Sequence, residues 1–194
     1  LVVLGMLAVT AVYLTVGDPA QLWASGIQDV VTSLTEQQEL PVTQAELQEG
    51  LEFWSQYITG IVVAGTLVSL LVSLLLGRWW QGLLFYEGGF DKEFSHLRLL
   101  PRDGLVFALL IVIASLLDGQ FAEFIWNLDI PILLLFFIVG ISVIHVVIKN
   151  RGGGRYLLAV FYLAVFFVPH LMLPLVLIGL SDVWVDWRQR FIKT

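Results

Sequence analysis

From Tyr57 to Gly77 the chain reads YITGIVVAGTLVSLLVSLLLG, without one Asp, Glu, Lys or Arg. A helix through this run is long enough to cross the hydrocarbon core of a bilayer, which takes about 20 apolar residues. Trp54 and Tyr57 flank one end and Trp79 and Trp80 the other, where interfacial aromatics belong. Such a segment has no stable place in a small soluble fold. The rest of the chain agrees: 58% of residues are hydrophobic and 13% charged, against about 25% charged in soluble domains. This composition excludes an ordinary soluble domain.

Four further apolar runs share the pattern. Leu1–Val16 lacks a basic leader and a small-residue cleavage site, so it reads as the end of a transmembrane helix of an N-terminally incomplete chain rather than as a signal peptide. Gly104–Leu117 follows Pro101 and Asp103, which favour a helix start. Ile130–Ile148 carries Pro131 in what is expected to be its first turn, where the missing N–H costs nothing. Tyr156–Leu180 is interrupted by Pro169 and Pro174, and both one kinked helix and a hairpin of two short helices fit it. The expectation is an all-α, polytopic transmembrane helical bundle in a single membrane domain, 1–194, with helices near 1–16, 57–77, 104–118, 130–148, 156–168 and 171–187.

Charge orients it. The 10 Lys and Arg residues avoid the segment between Val16 and Ser55, which instead holds Asp18, Asp29, Glu36, Glu39, Glu46, Glu49 and Glu52. The positive-inside bias puts residues 18–55 outside and 78–103 in the cytoplasm. Asp118–Asp129, with acids only, is expected as an outer turn, and Lys149–Arg155 as an inner one. A hairpin at Pro169–Pro174 leaves Arg188, Arg190 and Lys193 inside as well, which favours the hairpin. Within 18–55, Leu22, Trp23, Ile27, Val30, Val31 and Leu34 form a helical stripe. Pro41 breaks it, and Thr43 and Glu46 have capping-box spacing for a second helix that can run directly into the Tyr57 segment. Asp182–Phe191 reads as an amphipathic tail, with Trp184, Trp187 and Phe191 near helical spacing.

Two groups of polar residues are candidate sites. Asp118, Gln120, Glu123, Asn127 and Asp129 gather at the expected outer turn, and His170 lies beside Pro169. Asp118, Gln120, Glu123, Asn127 and His170 can line a solute site or gate; ordinary capping at headgroup level competes with that reading. His145 is an ionisable residue inside an apolar run, four residues before Lys149, and a functional role competes there with a histidine bonded to a helix neighbour. The three scattered histidines form no metal motif, there is no cysteine, and Gly88–Gly89 and Gly152–Gly154 read as turns rather than nucleotide loops. No metal, cofactor, catalytic residue or nucleic-acid footprint is expected.

The segment RWWQGLLFYEGGFDKEFSHLRL, Arg78–Leu99, and the C-terminal GLSDVWVDWRQR, Gly179–Arg190, resemble the YybS-like, DUF2232 family of bacterial predicted inner-membrane proteins. The more specific piece falls on Gly179, Leu180, Asp182, Trp184, Asp186, Trp187, Arg188 and Arg190. The resemblance covers the chain from about Leu51 onward and fits the acidic segment less distinctly. It implies a multi-pass protein of the bacterial inner membrane with a fold like the solute-binding S-components of energy-coupling-factor transporters. Arg78, Arg98, Asp182, Asp186, Arg188 and Arg190 then stand either as a contact for a cytoplasmic partner or as a structural ion-pair cluster.

Two functions follow as expectations. One is a small-solute-binding transporter component of the energy-coupling-factor type. The other is a non-catalytic membrane scaffold or assembly protein of the cell envelope. Membrane lipids and other membrane or cytoplasmic protein subunits are the expected partners. No pair of acids and no His–acid set has a spacing that supports an intramembrane enzyme.

Overall fold

The structure is a computed structural model that describes residues 1–35, 44–85, 89–152 and 154–192. The Pro41 break, the Thr43 cap, Glu36, Glu39, Glu87, Gly88 and Lys193 lie outside the described residues, as do the side chains of Leu34 and Phe191. Among the described residues every regular element is helical. The chain is an all-α membrane protein. Two helices, Ala45–Phe85 and Gln120–Asn150, are long and apolar enough to cross a bilayer, and two bent pairs pass the same test if each is one span. The described chain divides into two compact units, Leu1–Val68 with Leu109–Pro131, and Ser69–Ala108 with Ile132–Thr194.

In the first unit, α1 (Val2–Val16) stops at Gly17, whose φ of +81° is a conformation that glycine adopts freely. α2 (Pro19–Thr35) starts with proline at its first position, and the Asp18 carboxylate accepts the Gln21 N–H at 3.0 Å, a standard N-cap. The two axes differ by 80°. Of the stripe on α2, Trp23, Ile27 and Val31 are half-buried, while Leu22 and Val30 are exposed. The Trp23 indole donates to the Thr59 hydroxyl at 2.9 Å and so ties α2 to α3 (Gln44–Phe85). α3 extends past 57–77 at both ends: the helix expected near Glu46 runs directly into the Tyr57 segment, because the polar residues before Trp54 are good helix formers, and the helix goes on to Phe85. Val9, Leu67, Ala114, Ala122, Ile125 and Leu128 make this unit's core.

α5 (Pro101–Leu116) contributes its second half to the first unit; at its start the Asp103 carboxylate accepts the Leu100 N–H at 2.9 Å. α6 (Gln120–Asn150) begins ten residues earlier than expected. The stretch expected as an outer turn is therefore helix from Gln120 on, and Pro131 stands inside α6 rather than in its first turn. The proline leaves the Asn127 carbonyl without its usual donor four residues on.

In the second unit, α4 (Gly89–Ser95) folds the segment after α3, and the Ser142 hydroxyl of α6 donates to the Phe94 carbonyl at 2.5 Å. α7 (Gly154–Phe167), a 3₁₀ turn at Pro169–Leu171 and α8 (Met172–Val185) follow. The axis bends by 104° at that turn. Pro169 causes the break: it has no N–H to continue the ladder of α7. α6 and α8 cross at two glycines. A Cβ on Gly140 would overlap the Leu175 carbonyl, and one on Gly179 would overlap the Phe136 carbonyl. Small residues let helix backbones meet in this way in membrane proteins. Phe136, Val139, Val143, Leu175 and Val176 surround the crossing, with Phe107 and Phe136 rings 5.1 Å apart. α9 (Trp187–Ile192) ends the described chain.

Candidate functional site: two polar networks

The first unit holds a network built on Asn127. Gln120, Glu123 and Asn127 are spaced by three and four residues on one face of α6. The Asn127 Oδ1 accepts the Gly60 N–H at 2.5 Å. Its Nδ2 lies within donating distance of the Gln56 carbonyl at 2.6 Å, the Glu123 carbonyl at 2.7 Å and the Tyr13 hydroxyl at 3.0 Å. Gln56 and Gly60 are four apart in α3, so the amide engages the two backbone groups that a helix ordinarily pairs with each other. Gly60 permits this approach, since a Cβ there would stand 2.8 Å from the Asn127 carbonyl oxygen. Asn127 is fully buried and links α1, α3 and α6 without a charge.

Around it, the Tyr13 ring meets Phe124 edge-on at 5.1 Å, and the Gln120 amide donates to the Gly17 carbonyl. A cleft of about 280 Å³ is lined by Thr10, Tyr13, Leu14, Gln120, Phe121 and Phe124. Asp129 is 2% exposed, and neither carboxyl oxygen has a hydrogen-bond partner among the described residues. Asp118 is exposed ahead of α6. His170 belongs to the other unit, where it is exposed on the 3₁₀ turn. The expected solute-site set is thus placed as three residues on one helix face, a surface acid, and a histidine of the second unit.

The second unit holds an ionic network built on Arg188. This guanidinium is 2% exposed. Its two terminal nitrogens donate to the carbonyls of Ser95 and Leu97, each at 2.7 Å, and its Nε lies 3.5 Å from the Asp182 carboxylate. Asp182, nearly as buried, accepts the Trp187 N–H at 2.9 Å and so caps α9. Burial works against the Arg188 charge and holds its pKa below the ordinary arginine range, with the Asp182 carboxylate the main opposing influence. Arg98 grips both oxygens of Asp186 at 2.8 and 3.0 Å. Asp186 ends α8 with φ of +47°, the one positive φ among the described non-glycine residues. Aspartate tolerates that conformation better than most residues. Arg190 lies over the Trp187 ring at 5.9 Å, and Arg78 pairs with Glu93, its Nε donating at 2.8 Å.

Beside this clamp, Asp91 of α4 receives Lys149 and the His145 Nε2, the latter at 2.9 Å. The His145 Nδ1 faces the Tyr162 hydroxyl at 2.9 Å. Desolvation opposes ionisation of Asp91, but its bonds to Lys149 and His145 outweigh it and hold the carboxyl below the usual carboxylate range. With both ring nitrogens engaged, His145 is a strut joining α4, α6 and α7. Its partners are not neighbours on its own helix. Sequence reasoning singled out His145 and noted Lys149 four residues on, a spacing that puts both on one face. It missed Asp91, Tyr162, Tyr13, Gln56 and the pairing of Gly140 with Gly179, none of which has a local signature.

A family model described as "Predicted membrane protein (DUF2232)" matches residues 1–183. The chain belongs to the DUF2232 family. The match takes in the acidic segment after α1, the part that resembled the family least. It stops before Trp184, so the second half of the C-terminal signature, including Asp186, Arg188 and Arg190, lies beyond it. Within the DUF2232 range fall the whole Asn127 network and, from the ionic network, Asp91, Arg98, His145, Lys149 and Asp182. No curated protein and no solved structure matched the chain.

Proposed function

We propose that this DUF2232 protein is a non-catalytic membrane scaffold or interaction protein. It crosses the bacterial inner membrane several times and carries a rigid polar platform, 89–100 with α9, at the cytoplasmic ends of its helices. The carrying observation is Arg188, a fully desolvated cation spent on the backbone carbonyls of Ser95 and Leu97. A mere connection between helices has no need of a buried guanidinium to fix its course, whereas a surface that other subunits recognise must keep one shape. The basic residues of this platform support its cytoplasmic side by the positive-inside bias. Affinity purification of the full chain in mild detergent, followed by mass spectrometry, tests the reading. The expected result is a defined set of envelope or cytoplasmic proteins that is lost with Arg98→Gln, a change on the exposed rim of the platform.

A second reading, a small-solute-binding transporter component of the energy-coupling-factor type, is favoured by the cleft beside Tyr13 and Gln120. Retention of a metabolite that Tyr13→Phe or Gln120→Ala releases, together with an ATPase and its membrane scaffold, would establish it over the first.

A further inference from the structure

The second unit contains another cleft, of about 280 Å³, whose lining includes Lys92, His96, Arg98, Lys149 and Arg188, with Asp91 as the one acid. Three of these cations already have acidic partners: Arg98 has Asp186, Lys149 has Asp91, and Arg188 has Asp182. Lys92 is exposed and has no acidic partner among the described residues. The pairing also leaves donors over. A guanidinium carries five N–H groups, and the contacts of Arg98 use one on each terminal nitrogen. The Nε of Arg188 is buried against Asp182, so the spare donors are those of Arg98 and Lys92. Ser95 and Asn150 add neutral polar groups to the wall. An excess of positive charge, spare N–H donors and a walled volume together define a site for a compact oxyanion.

We infer that this cleft binds a phosphate group. Its position favours a source. Lys149 and Asn150 are the last two residues of α6, a helix able to span the membrane, so the cleft opens where such a helix leaves the hydrocarbon. Basic pockets at that level take the headgroups of anionic lipids. The phosphodiester of an anionic phospholipid and a free phosphate ester share the chemistry the cleft recognises, and the experiment separates them. This inference does not depend on the scaffold reading, since either function can carry a lipid site.

The test uses the full chain in a neutral maltoside detergent, with binding of phosphatidylglycerol, phosphatidylcholine and inorganic phosphate each followed by native mass spectrometry and thermal shift. Phosphatidylglycerol is expected to bind in preference to phosphatidylcholine. Lys92→Gln should weaken it about fivefold, the effect of one basic side chain near an anionic headgroup. Arg102→Gln removes a cation of the same unit that is outside the cleft lining and should change nothing. If inorganic phosphate binds alone and displaces the lipid, the site stands and its source is a soluble phosphate. Equal binding of the two lipids, or equal losses in Lys92→Gln and Arg102→Gln, overturns the inference.

Discussion

The two units hold their helices together by different chemistry. In the first, a neutral amide, Asn127, reaches into the backbone ladder of α3 and touches Tyr13 of α1. In the second, charged groups do the joining: Arg188 with Asp182, Arg98 with Asp186, Asp91 with Lys149 and His145. Asn127 belongs to the candidate span Gln120–Asn150, whereas Asp91, Arg98 and Arg188 lie on segments outside the candidate spans, and their partners Lys149 and Asp182 stand within four residues of the ends of their helices. The difference follows the price of charge. An ion in hydrocarbon is expensive and an amide much less so. A buried amide needs only partners that the backbone already offers, while a cation needs a counterion and gives a stronger, more directional hold.

The comparison can be broken most severely at Arg188. Arg188→Ala leaves Asp182 buried beside a cavity and two carbonyls without donors, and should cost about 3–5 kcal/mol. Arg188→Lys should recover little, because one ammonium cannot reproduce the fork on both carbonyls. Denaturant titration in detergent, followed by tryptophan fluorescence, reads both. Next come the crossing glycines. Gly140→Val or Gly179→Val forces the α6 and α8 backbones apart and should cost at least about 1–3 kcal/mol. Gly26→Ala in α2, where an added Cβ meets nothing within 4 Å, should be neutral or stabilising in the same assay.

Smaller still is the effect expected in the first unit. Asn127→Leu removes the amide, but Gln56 and Gly60 can then pair with each other, so the loss should be about 1 kcal/mol. A loss as large as that of Arg188→Ala would erase the distinction between the units. The smallest effect is at Asp91. Its pKa is lower folded than unfolded, so its pair stabilises fully above the ordinary carboxylate value of about 4 and loses that contribution as pH falls through the folded pKa. Asp91→Asn should therefore lower the melting temperature slightly at pH 7, and by progressively less as pH falls below about 4. Because the group is about a third exposed, the effect should stay below about 1 kcal/mol.

The membrane class was legible because it rests on local composition: a soluble fold of this size has no place for Tyr57–Gly77. The boundaries of α6 were not, since Pro131 and the acids before it look like a helix start when read alone. The spacing of Gln120, Glu123 and Asn127 was the overlooked signal, for it is helical. The Arg188–Asp182 pair was visible as a cluster in the signature Gly179–Arg190. Its targets, the carbonyls of Ser95 and Leu97, carry no side-chain identity and leave no trace in sequence. The same holds for Gly60 against Asn127, where one glycine among many has a partner only the fold supplies.

The fixed course of 89–100 is best tested by hydrogen exchange of the purified full chain, wild type against Arg188→Ala. Peptides from α4 and the segment to Leu100 should be protected in the wild type. In the variant they should exchange fast while the α6 peptides around Val139 and Val143 stay protected. Unchanged protection of 89–100 in Arg188→Ala would contradict the role given to the buried guanidinium, and with it the rigid platform.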